Sequence, residues 1–398
     1  MNILDGIVVV DMTHGIAGPT CAQWLRFLGA DVIKVEQPGT GEGFRSYHIK
    51  PGEDAVSLPF ATINSGKRSM TADLKNPAGR EVVHRLVRHA DVFVQNYRPG
   101  VAERLGVGWR ELSALNGRLI YCGISGFGSS GALSQRAAYD HIVQAMSGMM
   151  TINGEPGGKP LKVGPPIADQ FSGFVASTAV LGALFKRERT GTGDSVEVSM
   201  LDCMLALLGM YVTPYLTKGR VPERLGNRGL RAVPTSDIFT TVNGAIAVSA
   251  NHDEEFRQLC AVLELDLIGD ERFATHAARV RNGDALSLLL AEAFLRRNAA
   301  DLETQLTARK IPAARVRTLP EILSTEVLQQ HPNVIMHVDA SPAIADIPIV
   351  GLPFRFGSSP TDPEVLRLAG LGEHTVAILG ELGYDAAAIA ALREAGAV

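Results

Sequence analysis

Cysteine is scarce in this chain, and the four thiols present, Cys21, Cys122, Cys203 and Cys260, lie far apart with no CxxC or other metal-ligand spacing. They read as reduced, mostly buried thiols. An excess of one charge is also missing, because 38 Lys and Arg stand against 42 Asp and Glu, for a formal net charge of -4. Such a balance offers no field for a nucleic acid backbone, so an anionic ligand must be held by local groups. There is no internal repeat and no low-complexity tract. The N-terminus carries Asp5 and only a short apolar run where an export signal needs a basic segment and a longer one, so a cytoplasmic protein is expected. The most apolar stretch, 174–185, is about half the length that crosses a bilayer and ends in Lys186, Arg187, Glu188 and Arg189. It reads as a core helix, and no membrane partner is expected.

What is present is ordinary globular content, 46% hydrophobic and 20% charged. At 398 residues the chain exceeds one compact core and predicts two or three units. Residues 6–11 predict a strand, 20–28 a helix and 31–36 a strand, ended by Pro38-Gly39. The rhythm continues with a helix at 78–89, a strand at 91–95, a helix at 109–114 and a strand at 118–125. This α/β alternation predicts a Rossmann-like large domain whose mostly parallel sheet is covered by helices. Residues 138–150 and 169–189 read as two long helices separated by a Gly/Pro-rich segment, 195–199 as a strand and 200–217 as one buried helix. The first part of the large domain is thus 1–218. Basic and Gly residues without periodicity mark 219–232 as a linker, and a smaller α+β domain follows at 233–330. There, strands at 237–239 and 245–249 flank Asn243-Gly244, a hairpin signal, and helices are predicted at 253–263, 282–296 and 300–309. A Pro-rich return, 331–398, ends in a helix at 374–382.

Several motifs invite chemistry. GFGSSG at 126–131 fits GxGxxG, but it follows the fourth strand or so and no helix opens at its last glycine, so a loop is the better reading. Gly15 is followed about 20 residues later by Glu36, where an NAD-dependent oxidoreductase would keep its ribose carboxylate. Ala17 and Thr20 occupy the other glycine positions, so that reading is weakly supported. His84 and His89 share a helix with Arg85 and Arg88 as a solvated face, and no metal site is expected. No Ser stands in GxSxG. His14 lies on the loop at the carboxyl end of the first strand, where open α/β sheets bind ligands. Asp169, after Gly164-Pro165-Pro166-Ile167-Ala168, falls at or just before a helix start. An Asp there is ordinarily a cap. The same placement suits an ionised nucleophile beside backbone amides that can steady an oxyanion, and the two readings stay open.

The segments LDGIVVVDMTHGIAGPTCAQWLRFLGADVIKVEQPGTGE, NSGKRSMTADLKNPAG, ADVFVQNYRPGVAERLG, RAAYDHIVQAMSGMM, TGTGDSVEVSMLD, VNGAIAVSANHDEEFRQLC and GLGEHTVAILGELG resemble, in order, those of the class III CoA-transferases. These are relatives of formyl-CoA transferase and of the 2-methylacyl-CoA racemases. The resemblance implies a large domain completed by the C-terminal return, a smaller domain between, and an interlocked homodimer. It places the catalytic aspartate on Asp169 and contacts to coenzyme A on His14, Gly15, Ile16, Ala17, Gln37, Ala72, Asp73, Leu74, Lys75, Asn96, Tyr97, Arg98, Arg104, Ala137, Ala138, Tyr139 and Asp140. Coenzyme A is then a substrate, and no tightly bound cofactor is expected. Lys75, Arg98 and Arg104 would supply scattered positive charge for its phosphates.

Two departures bear on substrate. Formyl-CoA transferase carries Arg and Lys where this chain has Gln37 and Ala137, which leaves Arg136 as a substitute, and its tetraglycine loop is absent, so formyl-CoA and oxalate are not expected. The racemase branch has GHD where this chain has AYD, and Tyr139 is a poor base near neutral pH. On a helix His141 would point about 200° away. A transferase is therefore expected over a racemase. Asp169 would attack an acyl-CoA thioester, giving a mixed anhydride and then an aspartyl-CoA thioester. Arg45, Arg228 and Arg231 are candidates to pair with a second carboxylate, with succinyl-CoA as donor and a dicarboxylic acid as acceptor. A non-enzymatic CoA-binding protein would be favoured if Asp169 were buried and fully satisfied as a cap.

Overall fold

The computed structural model describes residues 2–50, 56–229, 233–324, 334–339, 346–354, 356–357 and 365–398. Two compact units emerge, one from Met1–Met149, Lys162–Gly219 and His331–Val398, the other from Met150–Leu161 and Arg220–Gln330.

The first unit is built on six parallel strands, β1 (Val8–Met12), β2 (Asp31–Glu36), β3 (Arg68–Thr71), β4 (Val92–Gln95), β5 (Ile120–Ser125) and β6 (Asp194–Ser199), in the order β3-β2-β1-β4-β5-β6. Unbroken apolar runs such as Val8-Val9-Val10 and Val92-Phe93-Val94 form the central strands because both sheet faces are covered. Successive side chains alternate between those faces. Val9, Val92, Val94 and Ile120 pack under helices α1 (Ala17–Phe27) and Ile167–Thr190, while Val10, Phe93 and Tyr121 meet helix Pro77–Val87 and the C-terminal helices Thr375–Glu381 and Ala386–Glu394. Each fully buried Val or Ile contributes about 1.5–3 kcal/mol. Gly173 permits the close crossing of the first two helices, since a Cβ there would stand 2.6 Å from the Ala17 carbonyl oxygen. The C-terminal segment is stitched to β3: the Thr71 N–H donates to Thr375 Oγ1 at 3.1 Å, and the Asp73 N–H donates to the Ala397 oxygen at 2.9 Å.

Two helical expectations are corrected. The 138–150 helix is broken into Asp140–Met146 and Met149–Ile152, with Gly148 at φ 87° between them. The single buried helix at 200–217 is two, Met200–Leu207 and Gly209–Lys218, bent by 79°. The second contains Pro214 and buries none of its residues, because Gly209 and Pro214 weaken straight continuation and turn its apolar side chains outward. The helix Ile167–Thr190 runs 24 residues, long and apolar enough by composition to cross a membrane, and its buried Ala168, Ala176, Val180, Ala183 and Leu184 lie in the first unit's own core, as expected of a core helix.

The second unit holds an antiparallel sheet of β7 (Ser236–Thr241), β8 (Gly244–Ser249) and β9 (Ala313–Arg315), with the β7–β8 turn at Val242-Asn243. Helices Asp253–Leu263, Gly283–Leu295 and Ala299–Ala308 cover it, and Phe239 and Phe294 stack at its centre with ring centroids 4.1 Å apart.

Candidate active site

In a sheet ordered 3-2-1-4-5-6, the loops after β1 and β4 diverge to opposite sides, and ligands bind in the crevice this leaves at the carboxyl ends. Here the two loops are clasped together. Asn96 accepts the His14 N–H at 2.9 Å on Oδ1 and donates from Nδ2 to the His14 oxygen at 2.8 Å. Above them opens a cleft of about 620 Å³ lined by residues 14–17, 96–99, 124–126 and 138–141, together with Phe44, Tyr47, Ser134, Arg136, Pro166, Asp169 and Met200.

Asp169 is the third residue of helix α2 (Ile167–Thr190) and caps nothing. The capping is done by Asp140, which opens the separate helix Asp140–Met146. Its Oδ1 accepts the Ala168 N–H at 2.8 Å and the Asp169 N–H at 3.4 Å, while Oδ2 accepts from Gln144 Nε2 at 2.7 Å. Gln144 Oε1 accepts the Val163 N–H at 2.9 Å and so fixes the approach to α2. The Asp169 carboxylate is half-buried, and among the described residues nothing donates to it. A helix start favours the charged form. Its amides are already engaged, however, and burial first, with the neighbouring Asp140 charge second, pushes the Asp169 carboxyl up to about 7. That is a carboxylate poised to be either ionised or protonated near neutrality.

Of the residues singled out from sequence, His14, Gly15, Ile16, Ala17, Asn96, Tyr97, Arg98, Ala138, Tyr139 and Asp140 line the same cleft as Asp169. Gln37, Lys75, Arg104 and Ala137 are exposed and outside its lining, and Ala72 and Leu74 are buried in the turn held by the C-terminal tail, with Asp73 beside them. Arg45 is corrected as a reader of substrate carboxylate. Its guanidinium grips Glu36 through two bonds of 2.7 Å, donates to the Ala369 oxygen and lies over the Phe60 ring. The same pair removes Glu36, 2% exposed, from any role on a ribose. Arg228 belongs to the second unit, 3.5 Å from Asp237 and bonded to Ser287, and Arg231 lies outside the described residues. His141 is corrected as well. It lines the cleft, its ring parallel to that of Tyr139 at 6.3 Å. Tyr139 is the extended residue before the helix, so helical arithmetic does not separate the two. His84 is held by the Gly106 oxygen, and among the described residues no cluster of His, Cys, Asp or Glu could hold a metal ion.

Sequence reasoning missed Phe44 and Tyr47, whose rings stack at 4.7 Å on the short turn Gly43–Ser46, and a second cavity beside the cleft. That side pocket, about 380 Å³, shares Ile16, Phe44, Tyr47, Asp140 and Pro166 with the cleft and adds Pro59, Thr62, Ile63, Lys162, Gly164 and Gln170. Also unforeseen is a buried ionic cluster behind the first loop. Lys67 Nζ contacts Asp11 at 2.9 Å, Lys34 Nζ contacts the Thr13 oxygen at 2.9 Å and Glu42 at 3.3 Å, and Glu42 accepts the Gly15 N–H at 3.2 Å. Flanking cations hold the Asp11 carboxyl below its ordinary range despite its burial.

The sequence model of CoA-transferase family III matches residues 4–375. The chain is 36% identical to the succinate–glutarate CoA-transferase of Agrobacterium fabrum over 385 residues, 95% of each protein. It is 37% identical to the acetyl-CoA:oxalate CoA-transferase of Acetobacter aceti, over 83% of this chain and 87% of that one. Among solved structures, a CaiB/BaiF family protein from Brucella suis superposes with a TM-score of 0.84 at 36% identity, covering 96% of this chain and 100% of the other.

Proposed function

The chain belongs to CoA-transferase family III, and from that premise we propose that it moves coenzyme A from a dicarboxylic acyl-CoA, succinyl-CoA foremost, to a free carboxylic or dicarboxylic acid, with Asp169 as the nucleophile. The observation that carries this reading is a half-buried carboxylate with no hydrogen-bond donor on it among the described residues, held in the first turn of a helix at the wall of a ligand-sized cleft. Its neighbour Asp140 takes the capping duty that would otherwise have explained it.

The chemistry conserves charge. An Asp169 oxygen attacks the thioester carbonyl carbon, the C–S bond breaks, and a mixed anhydride forms with release of CoA thiolate. The thiolate attacks the Asp169 carbonyl and expels the donor acid, leaving an aspartyl-CoA thioester. The acceptor carboxylate attacks that thioester, the thiolate leaves again, and its return onto the acceptor carbonyl forms the new acyl-CoA and regenerates the Asp169 carboxylate. No net proton is consumed, and water must be kept from the anhydride. Phosphate groups of the coenzyme would be met by Arg98 and Arg136, the two guanidinium groups among the described residues of the cleft. The relatives named for acetyl-CoA with oxalate and for succinate with glutarate leave the acid to be settled by assay.

The test is trapping. Hydroxylamine added during turnover converts an acyl-aspartyl or aspartyl-CoA group into a hydroxamate, expected on the peptide containing Asp169 by mass spectrometry. Normal turnover by Asp169→Asn would refute the assignment.

A further inference from the structure

The side pocket beside the cleft has an unequal lining. Its walls near Ile16, Phe44 and Ile63 are apolar and suit methylene groups, whereas the one cation among the described residues of its lining is Lys162. The one acid among the described residues of that lining, Asp140, is occupied by the amides of α2 and by Gln144. Lys162 Nζ reaches only the carbonyl oxygens of Val163 at 3.4 Å and Gly164 at 3.1 Å, both next to it in the chain, and among the described residues no carboxylate pairs with it. An ammonium has three donors and seeks an anion. Lys162 is exposed at the pocket's mouth and free to meet an entering anion, unlike Lys34 and Lys67, the buried lysines of the same unit, each of which already has a carboxylate partner. The pocket abuts the nucleophile, since Pro166 and Gln170 line it from either side of Asp169 in the chain and Ile16 and Tyr47 line both cavities.

We propose that Lys162 pairs with the far carboxylate of a dicarboxylic acyl group whose methylenes lie in the side pocket, and so sets a preference for diacids over monoacids of equal length. The inference rests on the transferase reading above and assigns to Lys162 the duty that Arg45, bound to Glu36, cannot perform.

The experiment compares glutarate with pentanoate, five carbons each, as acceptors for the full-length enzyme, with succinyl-CoA and with acetyl-CoA as donors. The wild type is expected to favour glutarate in kcat/KM. Lys162→Gln should lower kcat/KM for glutarate by about tenfold or more, as for loss of a charge-assisted contact, and leave pentanoate within about twofold. Lys162→Arg should keep the preference. Equal losses on both acids, no loss on either, or a wild type that favours the monoacid would each overturn the proposal. Those results leave the Asp169-dependent transfer standing. Absence of transfer to either acid from the wild type would also overturn this inference, whereas full activity in Asp169→Asn would remove the Asp169-dependent reading on which it rests.

Discussion

Replacing Asp169 by Asn should stabilise the protein in a pH-dependent way while abolishing transfer. Burial and the Asp140 charge raise the carboxyl from 3.8 to about 7. At about 1.4 kcal/mol per pH unit the full cost of ionising it in the folded chain is ~4 kcal/mol, and its partial contact with solvent cuts this to roughly 2–4 kcal/mol. The sign follows from proton binding. Between pH 4 and 7 the folded state holds this proton more tightly than the unfolded state does, so stability falls as pH rises through that window and the whole cost is present above it. Asn does not titrate, so Asp169→Asn should melt on the order of 5 °C above the parent at pH 8, with the two curves converging below pH 4. Differential scanning fluorimetry of both proteins across pH 3.5–8.5 reads the difference, in which every other titrating group cancels. A variant that is less stable at pH 8, or more stable by the same amount at every pH, would refute the account of a strained carboxylate.

The rate of acyl transfer in a single turnover should rise about tenfold per pH unit below 7 and level off above it, because only ionised Asp169 attacks; a flat profile in a stopped-flow assay would contradict this. Asp140→Asn keeps an oxygen for the Ala168 N–H but removes the negative charge, so the acidic limb of that profile should move to lower pH. Lys67→Met leaves Asp11 buried without its nearest cation and should destabilise by about 3–5 kcal/mol in urea unfolding. On helix Gly209–Lys218, Met210 and Leu216 are 73% and 76% exposed, which suits a second copy of the chain. Replacing both with Glu should lower the mass measured by light scattering to that of a monomer, and a wild type already monomeric would disprove the expected homodimer.

The strands were legible where both faces are buried or a turn is encoded locally. Asp31–Glu36 is the expected 31–36, and the hairpin signalled by Asn243-Gly244 is present with its turn one residue earlier, at Val242-Asn243, and Gly244 as the first residue of β8. The bend near Leu208 was signalled by Gly209 and Pro214 but passed over because 200–217 is mostly apolar, and a helical period cannot tell a covered face from one left bare. For the site, similarity to a family pointed to segments 14–17, 72–75, 96–98 and 137–140 with Gln37 and Arg104, and of these 14–17, 96–98 and 138–140 line one cleft with Asp169 while the others lie outside it. What no local pattern could give is pairing at a distance. Asp140 and the start of α2 are 28 residues apart, Lys67 and Asp11 are 56 apart, and each relation depends on the fold bringing two segments together. Asp169 looked like a cap for the same reason: the residue that takes that duty lies on another helix.

The reciprocal bonds between Asn96 and His14 have a consequence for how a substrate enters. Two opposed bonds across one gap favour a single spacing between the first loop and the loop after β4. A substrate entering the cleft meets those two loops already joined, with Tyr139, 72% exposed, on the opposite part of the lining.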